Sequence, residues 1–249
     1  MPEFRLKIAG HTARVTSLFE STPQYFRAYL TDDAPSFSVA VTREDIAFEQ
    51  QDLLEEALQE GFKPRTFTDP FLERASIQRR FAEFLLAHDT LLLHGSAIAV
   101  DGQGYLFTAD SGTGKSTHTR LWREVFGDRA VMVNDDKPFV QLTQDAVILH
   151  GSPWSGKHGL DANIAVPLKG ICLLTRGTEN RIASATPAEL LPMLEKQTYT
   201  PLTEENAALS QALLHTLSQR VPLWRMACNK SASAAKTAYD AMHNERSPV

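Results

Sequence analysis

Cysteine is scarce in this 249-residue chain. The two present, Cys172 and Cys228, are far apart, lie in apolar strand-like runs and have no metal-type neighbour at short spacing, so both read as buried thiols. No apolar run approaches the length that crosses a membrane, and Met1-Pro2-Glu3-Phe4-Arg5-Leu6-Lys7 lacks the apolar centre of a signal peptide. The expectation is a cytoplasmic protein without a membrane partner. Positive charge is not in excess either: Lys and Arg number 25 against 30 Asp and Glu, a net charge of −5 that argues against a nucleic-acid footprint. Internal repeats, low-complexity tracts and Gly/Ser linkers are missing, so a division into residues 1–88 and 89–249 carries no compositional mark. What is there is ordinary for a folded chain, 43% hydrophobic and 22% charged, and long enough to bury a proper core.

Against that plain background one stretch stands out, Ala109-Asp110-Ser111-Gly112-Thr113-Gly114-Lys115-Ser116-Thr117. The apolar run Tyr105-Leu106-Phe107-Thr108 precedes it and Leu121-Trp122-Arg123-Glu124-Val125-Phe126 follows, which reads as strand, glycine loop and helix. Gly112 and Gly114 let backbone N–H groups converge on one centre, where the helix adds its positive end. Ser111 to Thr117 would thus cradle phosphates, with Lys115 on the outer phosphates and the Ser116 hydroxyl on magnesium. Ala109 stands where this loop pattern usually begins with glycine.

Upstream, Phe4/Leu6/Ile8, Phe26/Ala28/Leu30 and Phe37/Val39/Val41 alternate as three strands of a small antiparallel sheet. Thr42 and Asp45 resemble a capping box opening a helix that Gly61 stops, and Asp69-Pro70 opens another with the packing stripe Phe71, Leu72, Ala75, Phe81, Phe84 and Leu85. Leu91 to Val100 reads as one strand, and Asp101-Gly102-Gln103-Gly104 as a hairpin turn returning to Tyr105. The glycine loop is therefore fed from a hairpin, unlike the parallel βαβ feed of common nucleotide-binding sheets.

Downstream, Gly127 ends the loop helix, and the buried strand Ala130-Val131-Met132-Val133 runs into Asn134-Asp135-Asp136. Acids at the end of such a strand sit beside the phosphates, where Asp135 and Asp136 would divide two tasks, magnesium and proton acceptance. A hairpin of Phe139–Leu142 and Val147–His150 leads to Gly151–Asp161, a loop with Lys157 and His158 that is too polar for core and reads either as a lid or acceptor loop or as an exposed connection. The strand Gly170–Leu174 ends near Arg176, placed at a sheet edge to meet phosphate or solvent. Thr186-Pro187-Ala188-Glu189 is a capping box, a helix follows from about Thr203 to Leu217, Pro222–Met226 reads as an edge strand, Ser233–Met242 as a closing helix, and Asn244–Val249 as a fraying tail.

The run from His94-Gly95 through the hairpin into Asp110-Ser111-Gly112-Thr113-Gly114-Lys115-Ser116, then Asn134-Asp135-Asp136, resembles the kinase domain of HPr kinase/phosphorylase and, more distantly, the nucleotide domain of phosphoenolpyruvate carboxykinase. The resemblance spans about residues 89 to 180 and implies an α/β fold: a mixed sheet with flanking helices as a P-loop kinase core, preceded by a small N-terminal α/β segment. It implies ATP, or pyrophosphate, with magnesium as donor, and as acceptor a hydroxyl, the serine of a small protein or peptide or a small molecule. By motif, Ser116 and one of Asp135 and Asp136 hold magnesium, the other aspartate activates the hydroxyl, and His94 sits near that carboxylate. Arg176 joins the phosphate-binding set. The family's later glycine- and arginine-rich signatures are not found, and the N-terminal third does not look like its N-terminal domain. Two rival readings follow: a carboxykinase-like enzyme acting on a small acid, and a non-catalytic ATP-binding switch signalling through Gly151–Asp161. Assembly with identical chains stays open.

Overall fold

The computed structural model describes residues 1–59, 61 and 63–244, and the chain divides into two compact units, Met1–Phe84 and Leu85–Val249. The first unit opens with β1 (Glu3–Ile8) and β2 (His11–Thr16), an antiparallel hairpin, and β3 (Phe37–Ala40) joins β2 in parallel. The sheet is thus mixed where alternation predicts all-antiparallel pairing, and its middle strand is His11–Thr16. The stretch around Phe26 is not a strand. It forms a short helix α1 (Thr22–Tyr25), with Pro23 in its first turn, and a 3-10 turn over Arg27–Tyr29. Proline presets the helical φ there, which outweighs the period-2 pattern.

Two helices complete this unit. In α2 (Arg43–Gln59) the Asp45 carboxylate accepts from the Thr42 N–H at 3.0 Å while Thr42 Oγ1 accepts from the Asp45 N–H at 3.2 Å, the expected reciprocal cap. Helix α3 (Asp69–Leu86) buries Leu72, Ile77, Phe81 and Leu85, whereas Phe71, expected in that stripe, is 39% exposed.

Among the described residues of the second unit, nine strands join in one sheet. These are β4 (Thr90–Leu92), β5 (Ser96–Val100), β6 (Gln103–Thr108), β7 (Ala130–Asn134), β8 (Phe139–Leu142), β9 (Val147–His150), β10 (Ala165–Arg176), β11 (Arg181–Ser184) and β12 (Leu223–Cys228). The helices are α4 (Lys115–Phe126), α5 (Pro187–Lys196), α6 (Glu204–Arg220) and α7 (Ala232–Asn244). This is a mixed α/β architecture. Strand β10 pairs with β9 through Ala165–Pro167, with β6 through Leu168–Leu173 and with β12 through Ile171–Arg176. Hairpin β5–β6 turns at Asp101-Gly102, both left-handed, and β7 pairs antiparallel with β5.

Alternation along these strands decides the two cores. Ala97, Ala99, Leu106 and Ile171 face a cluster containing Leu190, Leu194, Leu214 and Leu217 from α5 and α6. Ile98, Val100, Tyr105, Phe107 and Cys172 face another, with Leu121 and Trp122 of α4 and the alanines of α7. A strand with an apolar residue at every position needs helices on both faces, and both are covered.

Several expectations change here. Leu91–Val100 is two strands: β4 pairs with β8 and β5 with β6 and β7, the chain switching partners at Leu93-His94-Gly95. Strand β7 ends the strand order and leaves Val131 44% exposed, so it is not a wholly buried strand. Strand β12 is not an edge, because β11, unseen in the sequence pattern, covers its outer side. Asn244 closes α7, and residues 245–249 lie outside the described residues.

Candidate active site

Strands β6, β10 and β12 are mutually parallel, and β7 runs the same way as β6 because each is antiparallel to the β5 between them. The carboxyl ends of β6, β7 and β10 therefore share one end of the sheet. Three predicted groups arrive there by topology: the glycine loop after β6, Asp135 and Asp136 after β7, and Arg176 closing β10. Antiparallel β5 starts at that end, which brings His94 and Ser96 to the same place.

The glycine loop has the conformation its residues require. Gly112 has φ +73° and Gly114 φ +123°, both in the left-handed region that side chains resist. Helix α4 begins at Lys115 with no side-chain cap and no acid in its first turn, in contrast to α5, which carries a capping box. Its first N–H groups are thus left for an anion rather than taken by the protein's own carboxylate or hydroxyl. Ser111 and Gly112 are exposed, and Thr113 to Thr117 half-buried. Lys115 Nζ donates to Ala109 O at 3.1 Å, folding its cation back over the loop. Burial lowers the Lys115 pKa, against the pull of Asp136, Asp110 and Asp135. A cation desolvated this way gains most from an incoming anion.

The two aspartates separate into different environments. Asp135 is 8% exposed; its Oδ1 accepts from Ser96 Oγ at 2.6 Å, and Ser96 Oγ lies 2.7 Å from Thr119 Oγ1 on α4. Because Ser96 gives its proton to Asp135, Thr119 gives its own to Ser96, and this polar chain links Asp135 to α4. Asp136 is half-buried, with Oδ1 3.4 Å from His94 Nε2. Burial raises the Asp136 pKa, with Lys137 and Lys115 opposing and Asp135 adding to the rise. Burial together with the Lys137 and Lys115 cations pushes His94 down to about 3. His94 and Asp136 therefore meet as a neutral imidazole and a reluctant carboxylate, not as an ion pair.

Arg176 does not stand at a sheet edge. It ends β10, which has β6 and β12 as neighbours, and its Nη2 donates to Gly112 O at 2.7 Å. The guanidinium thus ties the glycine loop to the end of β10. Asp110 Oδ1 meets Lys196 Nζ of α5 at 2.6 Å, a second tie on the same loop. The loop Gly151–Asp161 is also less exposed than its composition implies, since residues 151–155 are buried and only 156–159 stand out.

Sequence reasoning missed Ser96, Thr119, Asn134 and Ser152. Asn134 is fully buried; its Oδ1 accepts from the N–H of Asp136 at 2.7 Å and of Lys137 at 2.6 Å, and its Nδ2 donates to Ser152 O at 2.8 Å. The Asn134-Asp135-Asp136 run pointed to a turn, which is what Oδ1 makes. Nothing local showed where Nδ2 would go. Among the described residues no cluster of three or more His, Cys, Asp or Glu side chains could hold a metal alone. A magnesium ion that keeps waters and takes phosphate oxygens asks for one or two protein oxygens, and the Ser116 hydroxyl and Asp135 carboxylate are donors of that hard kind.

No family model matches the chain, and no curated protein matches it. A search of solved structures finds the HPr(Ser) kinase/phosphatase from Coxiella burnetii at 12% identity and a TM-score of 0.30, covering 51% of this chain and 95% of that one. At that identity and score nothing about activity passes from that protein to this chain. No helix among the described residues is long and apolar enough to cross a membrane.

Proposed function

We propose that this protein is a magnesium-dependent phosphotransferase that moves the γ-phosphoryl group of ATP to a hydroxyl, the serine of a small protein or peptide, in the manner of HPr serine kinases. The observation that carries the reading is the meeting, at one end of the sheet, of an uncapped helix N-terminus behind left-handed glycines with two aspartates in unlike environments. Anion binding and proton acceptance are then adjacent, and phosphoryl transfer asks a protein for little more than that and alignment.

The unlike environments support one division of the tasks. Asp135, buried and tied through Ser96 and Thr119 to α4, is the carboxylate that holds magnesium together with Ser116. When bound, magnesium neutralises charge on the phosphate oxygens. Asp136, half-buried and with a raised pKa, is the base. Its carboxylate takes the proton of the acceptor hydroxyl as the acceptor oxygen bonds to phosphorus and the bond to the bridging oxygen breaks, releasing ADP. Neutral His94 steadies Asp136 without neutralising it, because an imidazolium there would lower the carboxylate's basicity. Lys115 answers the charge on the outer phosphates, and Arg176 holds Gly112 in place.

The test is transfer of labelled γ-phosphate from ATP with magnesium into a lysate of the source cell, comparing the wild type with Asp135→Asn and Asp136→Asn. An acid-stable, base-labile labelled product that disappears in the variants supports the assignment. Full activity in both variants overturns it. Nucleotide raising the melting temperature with no label transferred favours the binding switch, and loss of carbon dioxide from an acid favours carboxykinase-like chemistry.

A further inference from the structure

The loop Gly151–Asp161 is joined to the acid turn along both of its arms. On the entering arm, Asn134 Nδ2 donates to Ser152 O at 2.8 Å, Ser152 Oγ at 3.0 Å and Trp154 O at 3.3 Å. Ser152 Oγ–H donates to Lys137 O at 2.6 Å, and the Lys137 N–H donates back to Asn134 Oδ1 at 2.6 Å. These contacts close a ring through Asn134, Ser152 and Lys137, with the first two fully buried. On the leaving arm the Asp135 N–H donates to Leu160 O at 3.1 Å and the Ala162 N–H to Val133 O at 3.2 Å. Ser155 Oγ spans the arms by donating to Asp161 Oδ1 at 2.5 Å.

The base of the loop is packed too closely to admit a side chain at Gly151. A Cβ on Gly151 would lie 1.8 Å from Ala162 O and 2.9 Å from Val133 O. Above that base, the turn Gly156–His158 arches out, and a Cβ on Gly156 would lie 3.2 Å from Asp136 Oδ2. Asp136 thus has His94 near its Oδ1 and this loop beside its Oδ2.

We propose that Gly151–Asp161 is a fixed wall on the acceptor side of Asp136, clamped by Asn134 and Ser152, and that Asn134 is a positioning residue for phosphoryl transfer. This inference rests on the phosphotransferase reading. A lid that opened and closed would have to break the ring and both backbone contacts each cycle, whereas a clamped wall keeps the carboxylate and the acceptor's path in one geometry. Asn134 acts through others: one side-chain amide sets the backbone of Asp136 with its oxygen and the loop with its nitrogen.

The test uses Asn134→Asp, which keeps the oxygen that accepts from Asp136 and Lys137 but cannot donate to the loop, and Ser152→Ala, a milder cut in the same ring. Tryptic cleavage after Lys157 in the full chain, followed by mass spectrometry, reads the loop directly; it should quicken about tenfold or more when two or three buried hydrogen bonds go. Binding of ATP by Ser152→Ala should stay within about twofold, because no charge and no phosphate-binding group is touched. The kcat of magnesium-dependent ATP turnover should fall about 10²-fold at unchanged KM, the expected cost of a misplacement near 1 Å. Unchanged cleavage at Lys157 in both variants overturns the clamp, and quicker cleavage with unaltered kcat overturns the positioning role. A wild type that binds no ATP or never turns it over defeats the phosphotransferase reading and the positioning role with it, while cleavage still judges the clamp.

Discussion

Both units bury carboxylates, but they use them differently. In the first, Glu73 is fully buried and accepts from the Leu18 N–H and the Thr22 hydroxyl. Glu49, 4% exposed, takes Arg79 Nε at 2.6 Å, and Asp45 takes Arg79 at 3.3 Å and Arg80 at 2.8 Å. Burial raises the Glu49 pKa, as it does for Asp136 in the second unit. The difference lies in the company each keeps. Glu49 is clasped by a guanidinium whose other nitrogen reaches Asp45, whereas Asp136 faces a neutral histidine and shares its surroundings with a lysine at an uncapped helix start. A buried acid answered by arginines is a packing feature; what marks a candidate site is a buried acid set against a neutral histidine beside an uncapped helix start.

That contrast can be broken by substitution. The largest effect is expected for Asp136→Asn, which should cut phosphoryl transfer by about 10²–10⁴-fold with ATP affinity kept, the range of a lost general base; Glu49→Gln should leave transfer unchanged. The wild-type rate should also decline on acidification at a higher pH than an ordinary aspartate would set, because the raised Asp136 pKa brings protonation of the base early. A pH–rate profile alongside steady-state assays of both variants checks this pair.

Next comes Arg79→Leu, which strands the nearly buried Glu49 and leaves Asp45 with Arg80 alone. It should destabilise the protein by about 3 kcal/mol, read by urea unfolding, with transfer by the remaining folded protein intact.

A somewhat smaller effect belongs to His118, buried on α4, whose Nε2 accepts from Trp122 Nε1 at 3.1 Å. Burial pushes its pKa down to about 4. The unfolded chain takes a proton there below about pH 6.5, and the folded chain refuses it until about pH 4. Stability is therefore whole above pH 6.5 and lost as pH falls through that window, by up to about 3 kcal/mol. Melting curves at pH 7.5 and 5.0 should show the loss, and His118→Gln, which keeps an acceptor for Trp122, should flatten it. The smallest effect expected is for Arg176→Ala: without the bond to Gly112 O, ATP should bind about tenfold more weakly, measured by titration calorimetry.

Local chemistry was legible wherever neighbours in sequence are neighbours in space. The Thr42/Asp45 and Thr186/Glu189 caps, the Asp101-Gly102 hairpin and the strand–loop–helix around Gly112 are all short-range, and alternation or capping residues announce them. Reading failed where a long-range partner overrode the local pattern. The Leu91–Val100 run gives no hint that β4 and β5 lie beside different strands, and nothing near Arg176 shows that the strand read at Pro222–Met226 lies beside β10.

The sequence by itself determined that this chain has a glycine loop with Lys115 and Ser116 at a helix start and an acid pair at a strand end, because those features depend on spacing and on the φ freedom of glycine. Only the tertiary structure decided which aspartate is buried against Ser96, which one meets a neutral His94, that Arg176 braces Gly112, and that Asn134 ties the acid turn to Gly151–Asp161. Desolvation and hydrogen-bond partners are properties of the packed surroundings, and two adjacent aspartates, identical in sequence terms, acquire different chemistry when consecutive residues at a strand end point into different environments.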